Sequence, residues 1–185
     1  MTDSESSDVA VVVSREDATW DVDLLPLALT EDLAGLIQVL RQQPSIGGTI
    51  GLAAVGDDFF VAIRVIGGQA SVFLSDLTAA VDWPLARQVL AHLDLVIPDD
   101  EDLDQVLPAG DLSIFADLGL DEMDLGMIAG DLSIFADLGL DEMDLGMIAG
   151  DLDLFPDEAL AIIARKLGFG QALERALTLA LGRVP

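Results

Sequence analysis

The side chains of this chain that could carry covalent chemistry are few and scattered. Asp21 and Asp23 form a D-x-D pair, a spacing in which one aspartate can attack phosphorus while the other handles the proton. Such a pair belongs at the end of a buried strand with a lysine nearby. Here Ala18-Thr19-Trp20 precedes it, and the one lysine, Lys166, lies far along the chain. A pair of loop-capping aspartates fits those neighbours better. His92 is the single histidine, and no GxSxG elbow accompanies it. A lone imidazole among many carboxylates reads as a surface or edge histidine before it reads as a general base. The absence of cysteine excludes disulfides, thiolate zinc sites and cysteine nucleophiles together. The run from Asp99 to Asp104 and the pair Asp151-x-Asp153 offer hard oxygens, but without the twelve-residue spacing or turn glycine of an EF-hand. Weak screening by Ca²⁺ or Mg²⁺ is the most they predict. Gly168-Phe169-Gly170 has no strand before it and no third glycine after it, so it reads as a helix break and not as a dinucleotide loop. The residues taken alone assign no catalytic, cofactor or metal site.

The elements around these residues follow from hydrophobic period. Met1 to Asp8 is polar and acidic and reads as a disordered leader. Residues 9–13, AVVV after a valine, are apolar throughout and β-branched at all but Ala10, as for a strand buried on both faces. Residues 20–26 read as a connection anchored by Trp20 and the leucines. Thr30-Glu31-Asp32 can open a helix in which Leu33, Leu36, Ile37 and Leu40 recur at helical spacing until Pro44. Three strands are expected at 49–55, 59–66 and 70–75, separated by turn glycines. Arg64 interrupts the second of them, and is expected to face solvent or pair with Asp76. A loop then leads to Trp83-Pro84, proline marking the first turn of a helix over 85–95. The fold class that results is α+β: a small, mainly antiparallel sheet with helices on one face, in the order β-α-β-β-β-α, followed by an all-helical C-terminal region. The expected division is an α+β domain at 1–96, an acidic linker at 97–108 and a helical region at 109–185.

That last region contains AGDLSIFADLGLDEMDLGMI written twice, at 109–128 and again at 129–148, without one change, and a third start, AGDL, follows at 149. Two full copies are too few for a stacked repeat array. Misaligned exchange between two AGDL words would produce this order, so one copy is expected to be surplus. Each unit reads as a small helical hairpin: Asp111 or Ser113 caps a short helix, Gly119 ends it, and Asp121 caps a second bearing Met123, Leu125 and Met127. The Met pairs Met123/Met127 and Met143/Met147 read as gap-filling core, with an adaptable binding groove as the alternative. An unsheltered second copy would favour association between chains. Pro156-Asp157-Glu158 opens a further helix that ends at Arg165-Lys166, charges matching the helix dipole at both ends.

Composition narrows the partners. The 185 residues carry 34 acidic and 8 basic side chains, a net charge of −26. Between Asp99 and Glu158 there are nineteen acidic residues and no lysine or arginine. Such a field repels phosphates, so direct binding of nucleic acid is not expected and a basic protein partner is. A solubilising acidic surface is the plainer alternative. With 52% hydrophobic residues the chain can bury a real core. No stretch resembles a signal peptide or an apolar span of about 20 residues, which predicts a cytoplasmic protein away from membranes.

Several phrases taken together are more specific than any motif above: Trp20-Asp21-Val22 with Leu24-Leu25-Pro26, Asp57-Asp58-Phe59-Phe60-Val61, Leu74-Ser75-Asp76, Asp82-Trp83-Pro84-Leu85-Ala86-Arg87, the AGDLxxFADLGL word, Phe155-Pro156-Asp157-Glu158, and Leu167-Gly168-Phe169-Gly170. With them the chain resembles the tRNA adenosine deaminase-associated proteins of actinobacteria over nearly its whole length. The second copy is the departure, a unit the resemblance implies should be present once. The resemblance implies a partner more than a mechanism. Zinc deaminases of nucleobases need an H-x-E and a P-C-x-x-C signature, and this chain has neither. The expected function is a non-catalytic accessory or adaptor protein, with no cofactor, whose acidic side chains meet a basic partner, the deaminase being the candidate. The partner-binding candidates are Asp99, Asp100, Glu101, Asp102, Asp121, Glu122, Asp141 and Glu142. The alternatives are a small hydrolase or phosphotransfer enzyme using Asp21/Asp23, and a structural domain that self-associates.

Overall fold

The structure, a computed structural model, describes residues 8–43, 48–56, 58–99, 107–120, 125 and 156–180. The stretch 1–8, expected to be a leader, lies outside these residues except for Asp8, whose carboxylate accepts a hydrogen bond from the Gly56 amide at 2.8 Å.

One antiparallel sheet organises the chain. Its strands are β1 (Val9–Glu16), β2 (Thr19–Leu24), β3 (Thr49–Val55), β4 (Phe59–Ile66), β5 (Gln69–Leu74) and β6 (Ala109–Gly110), in the spatial order β2-β1-β3-β4-β5-β6. The helices are α1 (Leu33–Arg41), α2 (Pro84–His92), α3 (Pro156–Leu167) and α4 (Gly170–Ala180), with short 3-10 turns at Leu27–Glu31, Leu77–Val81 and Ala116–Leu118. The α+β class, the antiparallel pairing and the three central strands stand as expected. Asp32 caps α1 by accepting from the Gly35 amide at 3.0 Å, and Pro84 occupies the first turn of α2.

Three features differ from the reading by period. Most of the stretch 20–26, expected to be a connection, belongs to the edge strand β2, with Val11 opposite Leu24 and Arg15 opposite Trp20. Its alternation of Trp20 and Val22 with Asp21 and Asp23 is a strand pattern, but the hairpin turn is made by Asp17 and Ala18 at positive φ, 47° and 68°, where asparagine or glycine would have announced it. The region from residue 109, expected to be all helical, begins with two residues of strand: Phe73 faces Gly110 and Leu74 faces Ala109. Helices also cover both faces of the sheet. Strands β3 and β4 are buried along almost their whole length and β1 over Val9–Val13, and a strand apolar on both sides must be covered twice.

Each face therefore has its own core. On the first, Ala10, Val12, Ala53, Val61, Ile63 and Leu74 meet Leu36 and Leu40 of α1 and Leu85 and Val89 of α2. On the second, Val11, Val13, Ile50, Leu52, Phe60 and Phe73 meet Ile114, Phe115, Leu120 and Leu125 from the first copy of the duplicated unit, together with Leu160 and Ile163 of α3 and Phe169 just beyond it. Residues from the beginning and the end of the chain thus share one apolar cluster.

Candidate functional site

The second face is where the chain has brought charge into its interior. Along β4 the side chains alternate, so Phe60, Ala62 and Arg64 share one face while Val61 and Ile63 take the other. Arg64 is 5% exposed, although an unpaired buried guanidinium is costly. The expectation that it faces solvent or Asp76 is overturned. Its two terminal nitrogens bind both carboxylate oxygens of Asp117, the Nη2–Oδ2 distance being 2.8 Å, and Nη1 also donates to the Ile114 carbonyl at 3.1 Å. Asp76 is engaged elsewhere, accepting from the Thr78 amide and hydroxyl and from the Leu107 amide.

This pair holds the first AGDL copy to the sheet. Chain entry is set by β6, after which the Asp111 amide donates to the Val72 carbonyl at 3.0 Å. The carboxylate of Asp111 then accepts from the Ser113 amide and hydroxyl, and this local turn feeds Ile114 and Phe115 into the core. The helix expected before Gly119 is only the 3-10 turn Ala116–Leu118, which Gly119 ends in a left-handed conformation. Its shortness puts Asp117 beside Arg64. The arrangement is asymmetric, since the arginine is 5% and the aspartate 62% exposed. The hydrogen bond and charge of Arg64 hold the Asp117 carboxyl below its ordinary value, against the smaller opposing effect of burial.

A cleft of about 60 Å³ opens beside the pair, lined by Arg15, Trp20, Gly48, Ile50, Arg64 and Leu118. The Arg15 guanidinium lies 5.1 Å above the Trp20 ring, and Trp20 leans on Phe169 with centroids 5.3 Å apart. Two of the chain's few cations therefore face one recess. It is far below the 300–1,000 Å³ typical of small-molecule sites, and so suits water or a single small group at most.

Among the described residues, those singled out by sequence are not brought together. Asp21 and Asp23 are exposed on the edge strand β2, facing away from the Trp20 side, and not at the end of a buried strand. His92 is exposed at the last turn of α2. Asp99 is exposed; Asp100, Glu101, Asp102, Asp121, Glu122, Asp141 and Glu142 lie outside the described residues, as do Asp151 and Asp153. Gly168-Phe169 is the break between α3 and α4, as expected. Among the described residues no group of three potential metal ligands converges, and no helix is long and apolar enough to cross a membrane. The Arg64–Asp117 pair has no local signature in the sequence. A lone arginine in an apolar strand signals a buried cation, but its partner is 53 residues away, and no sequence period reports that distance.

The phrases that make up this architecture match the family described as Rv3753c-like tRNA adenosine deaminase-associated protein, over residues 8–129 and 127–170. The chain belongs to that family. The match falls in two pieces, and each piece contains one copy of the duplicated unit. The chain is also 41% identical over 120 residues to Protein Rv3753c of Mycobacterium tuberculosis, an alignment covering 63% of this chain and 68% of that one. No solved structure matches. In this Rv3753c-like protein the two cores of one sheet, with Arg64 buried on the second face, form the frame of the chain.

Proposed function

We propose that this chain is a non-catalytic accessory protein of a tRNA adenosine deaminase, docking on the enzyme through carboxylates that include Asp99, Asp100, Glu101, Asp102, Asp121, Glu122, Asp141 and Glu142. The observation that carries the reading is membership of a family described as associated with that enzyme. Charge supplies the physical complement. An enzyme that grips tRNA must present cations to the phosphate backbone, and a chain of net charge −26 is attracted to such a surface and repelled by the RNA itself. The accessory chain then competes with tRNA for the cationic face, or rests beside it and holds the enzyme ready. The phosphotransfer alternative loses its structural premise, because Asp21 and Asp23 stand exposed on an edge strand.

Association led by charge weakens as salt shortens the Debye length to about 8 Å at physiological strength and less beyond it. Co-purification of the two full-length proteins at low and high salt tests this. Complex at low salt that dissociates at high salt is the expected result. No complex at either salt removes the proposal, and a complex indifferent to salt removes its electrostatic part.

A further inference from the structure

The second face of the sheet forms a socket for the first copy of a segment that the chain carries twice without change. We propose that this socket is a binding site for the AGDLSIFADLGL segment that accepts either copy, so that the protein exchanges between two registers: one with residues 109–128 docked, the other with residues 129–148 docked in the same place.

The contacts that define the socket come from residues repeated without change. The first copy enters through Ala109 and Gly110 paired to β5, buries Ile114, Phe115, Leu120 and Leu125, and closes on Arg64 with Asp117. Ala129, Gly130, Ile134, Phe135, Leu140, Leu145 and Asp137 repeat them at a shift of twenty. The bonds just upstream are made by backbone: the Leu77 amide donates to the Leu107 carbonyl at 2.8 Å, and the Leu107 amide donates to Asp76. In the shifted register Met127 offers the same two backbone groups. The side chains differ there, with Gly126, Met127 and Ile128 in place of Val106, Leu107 and Pro108.

The connections decide the balance. With the first copy docked, residues 93–108 lead from α2 to the socket and residues 126–155 lead from Leu125 to α3; with the second docked, residues 93–128 and 146–155 do so. The shift lengthens one loop and shortens the other. Closure probability falls as the three-halves power of loop length, so the two effects oppose and leave the registers within about a factor of two. The shorter connection is feasible: residues 146–155 reach about 33 Å when extended, and Leu125 shares a core with Leu160.

Gly110 provides the test. Its φ is 99°, and a Cβ there would lie 2.2 Å from the Val72 carbonyl oxygen, a contact that backbone cannot yield. Gly110→Ala should therefore drive the protein into the second register, Gly130→Ala should hold it in the first, and each alone should keep the thermal midpoint within a few degrees of the parent. Gly110→Ala/Gly130→Ala together should lose it. Because the chain has no cysteine, occupancy can be read by thiol labelling of Ile114→Cys. Adding Gly130→Ala should slow that labelling about tenfold or more as the first register becomes exclusive, and Ile134→Cys with Gly110→Ala should behave in mirror image. If Gly110→Ala alone destabilises as much as the double variant, or Gly130→Ala leaves the labelling of Ile114→Cys unchanged, the first copy is the sole occupant and the proposal is wrong. A double variant as stable as the parent also overturns it. Neither readout involves the deaminase, so the outcome is independent of the proposed association.

Discussion

Arg64 of β4 and Asp117 of the first AGDL copy are joined by a two-pronged ion pair, with the Ile114 carbonyl completing the shell of one guanidinium nitrogen. The cation is buried while the anion is open to water. Such a pair contributes mainly by making the alternative costly: a guanidinium sealed under apolar side chains without its carboxylate is far worse than either group in solvent.

Arg64 ties the first copy to the sheet through Asp117 and the Ile114 carbonyl. Arg64→Ala, which leaves a cavity and frees the first copy from the sheet, should cost about 2–4 kcal/mol in urea unfolding. Arg64→Met, of similar length and without charge, should cost about 1 kcal/mol or less, because the pair and its desolvation penalty disappear together. Equal losses in the two variants would show that the charge, and not the filled volume, is what matters.

The pair also sets a pH signature. Asp117 is held below the ordinary carboxylate value of 3.8 by Arg64, so its contribution is complete above that value and is lost as the pH falls through the depressed one. Protonation of the chain's many other carboxylates relieves self-repulsion over the same range and acts in the opposite direction. The difference between parent and Arg64→Met isolates the pair: the stability gap should be constant from pH 7 to about 5 and change below about 4. A gap that changes instead near neutrality would assign the linkage to another group.

Gly51 on β3 meets Leu40 of α1 so closely that an added Cβ would stand 2.8 Å from Leu40 Cδ1. Gly51→Ala should destabilise by about 1–3 kcal/mol through overpacking. The loss should couple to Leu40: in Gly51→Ala/Leu40→Val the two costs should fall short of adding by about 0.5 kcal/mol or more. Strict additivity would mean that the helix moves away at no cost.

Phe169, in the break between α3 and α4, is buried against Trp20 of the edge strand. Phe169→Ala should cost about 3–5 kcal/mol and change the fluorescence of Trp20, with Trp83, packed near Phe59 on the opposite face, as the unaffected reference in a Trp20→Phe background. Little change in either signal would mean that the C-terminal helices contribute little to the second core.

Sequence alone determined the parts of this protein that depend on near neighbours. The apolar period specified α1 and α2, the apolar run at Val9–Val13 specified a strand buried on both faces, and the turn glycines set the β3–β4–β5 meander, because helix and strand periodicities act over a few residues. The family was legible for the same reason, as a set of short phrases. The tertiary structure decided what depends on separation along the chain. It made residues 19–24 an edge strand through a turn without asparagine or glycine, placed Ala109 and Gly110 beside β5, laid α3 and α4 across the second face, and gave Arg64 the carboxylate of Asp117. A buried charge selects its partner by where two distant segments meet in space, and a repeated segment fits its socket by shape and charge; neither condition is written in local order, so only the folded sheet could supply them.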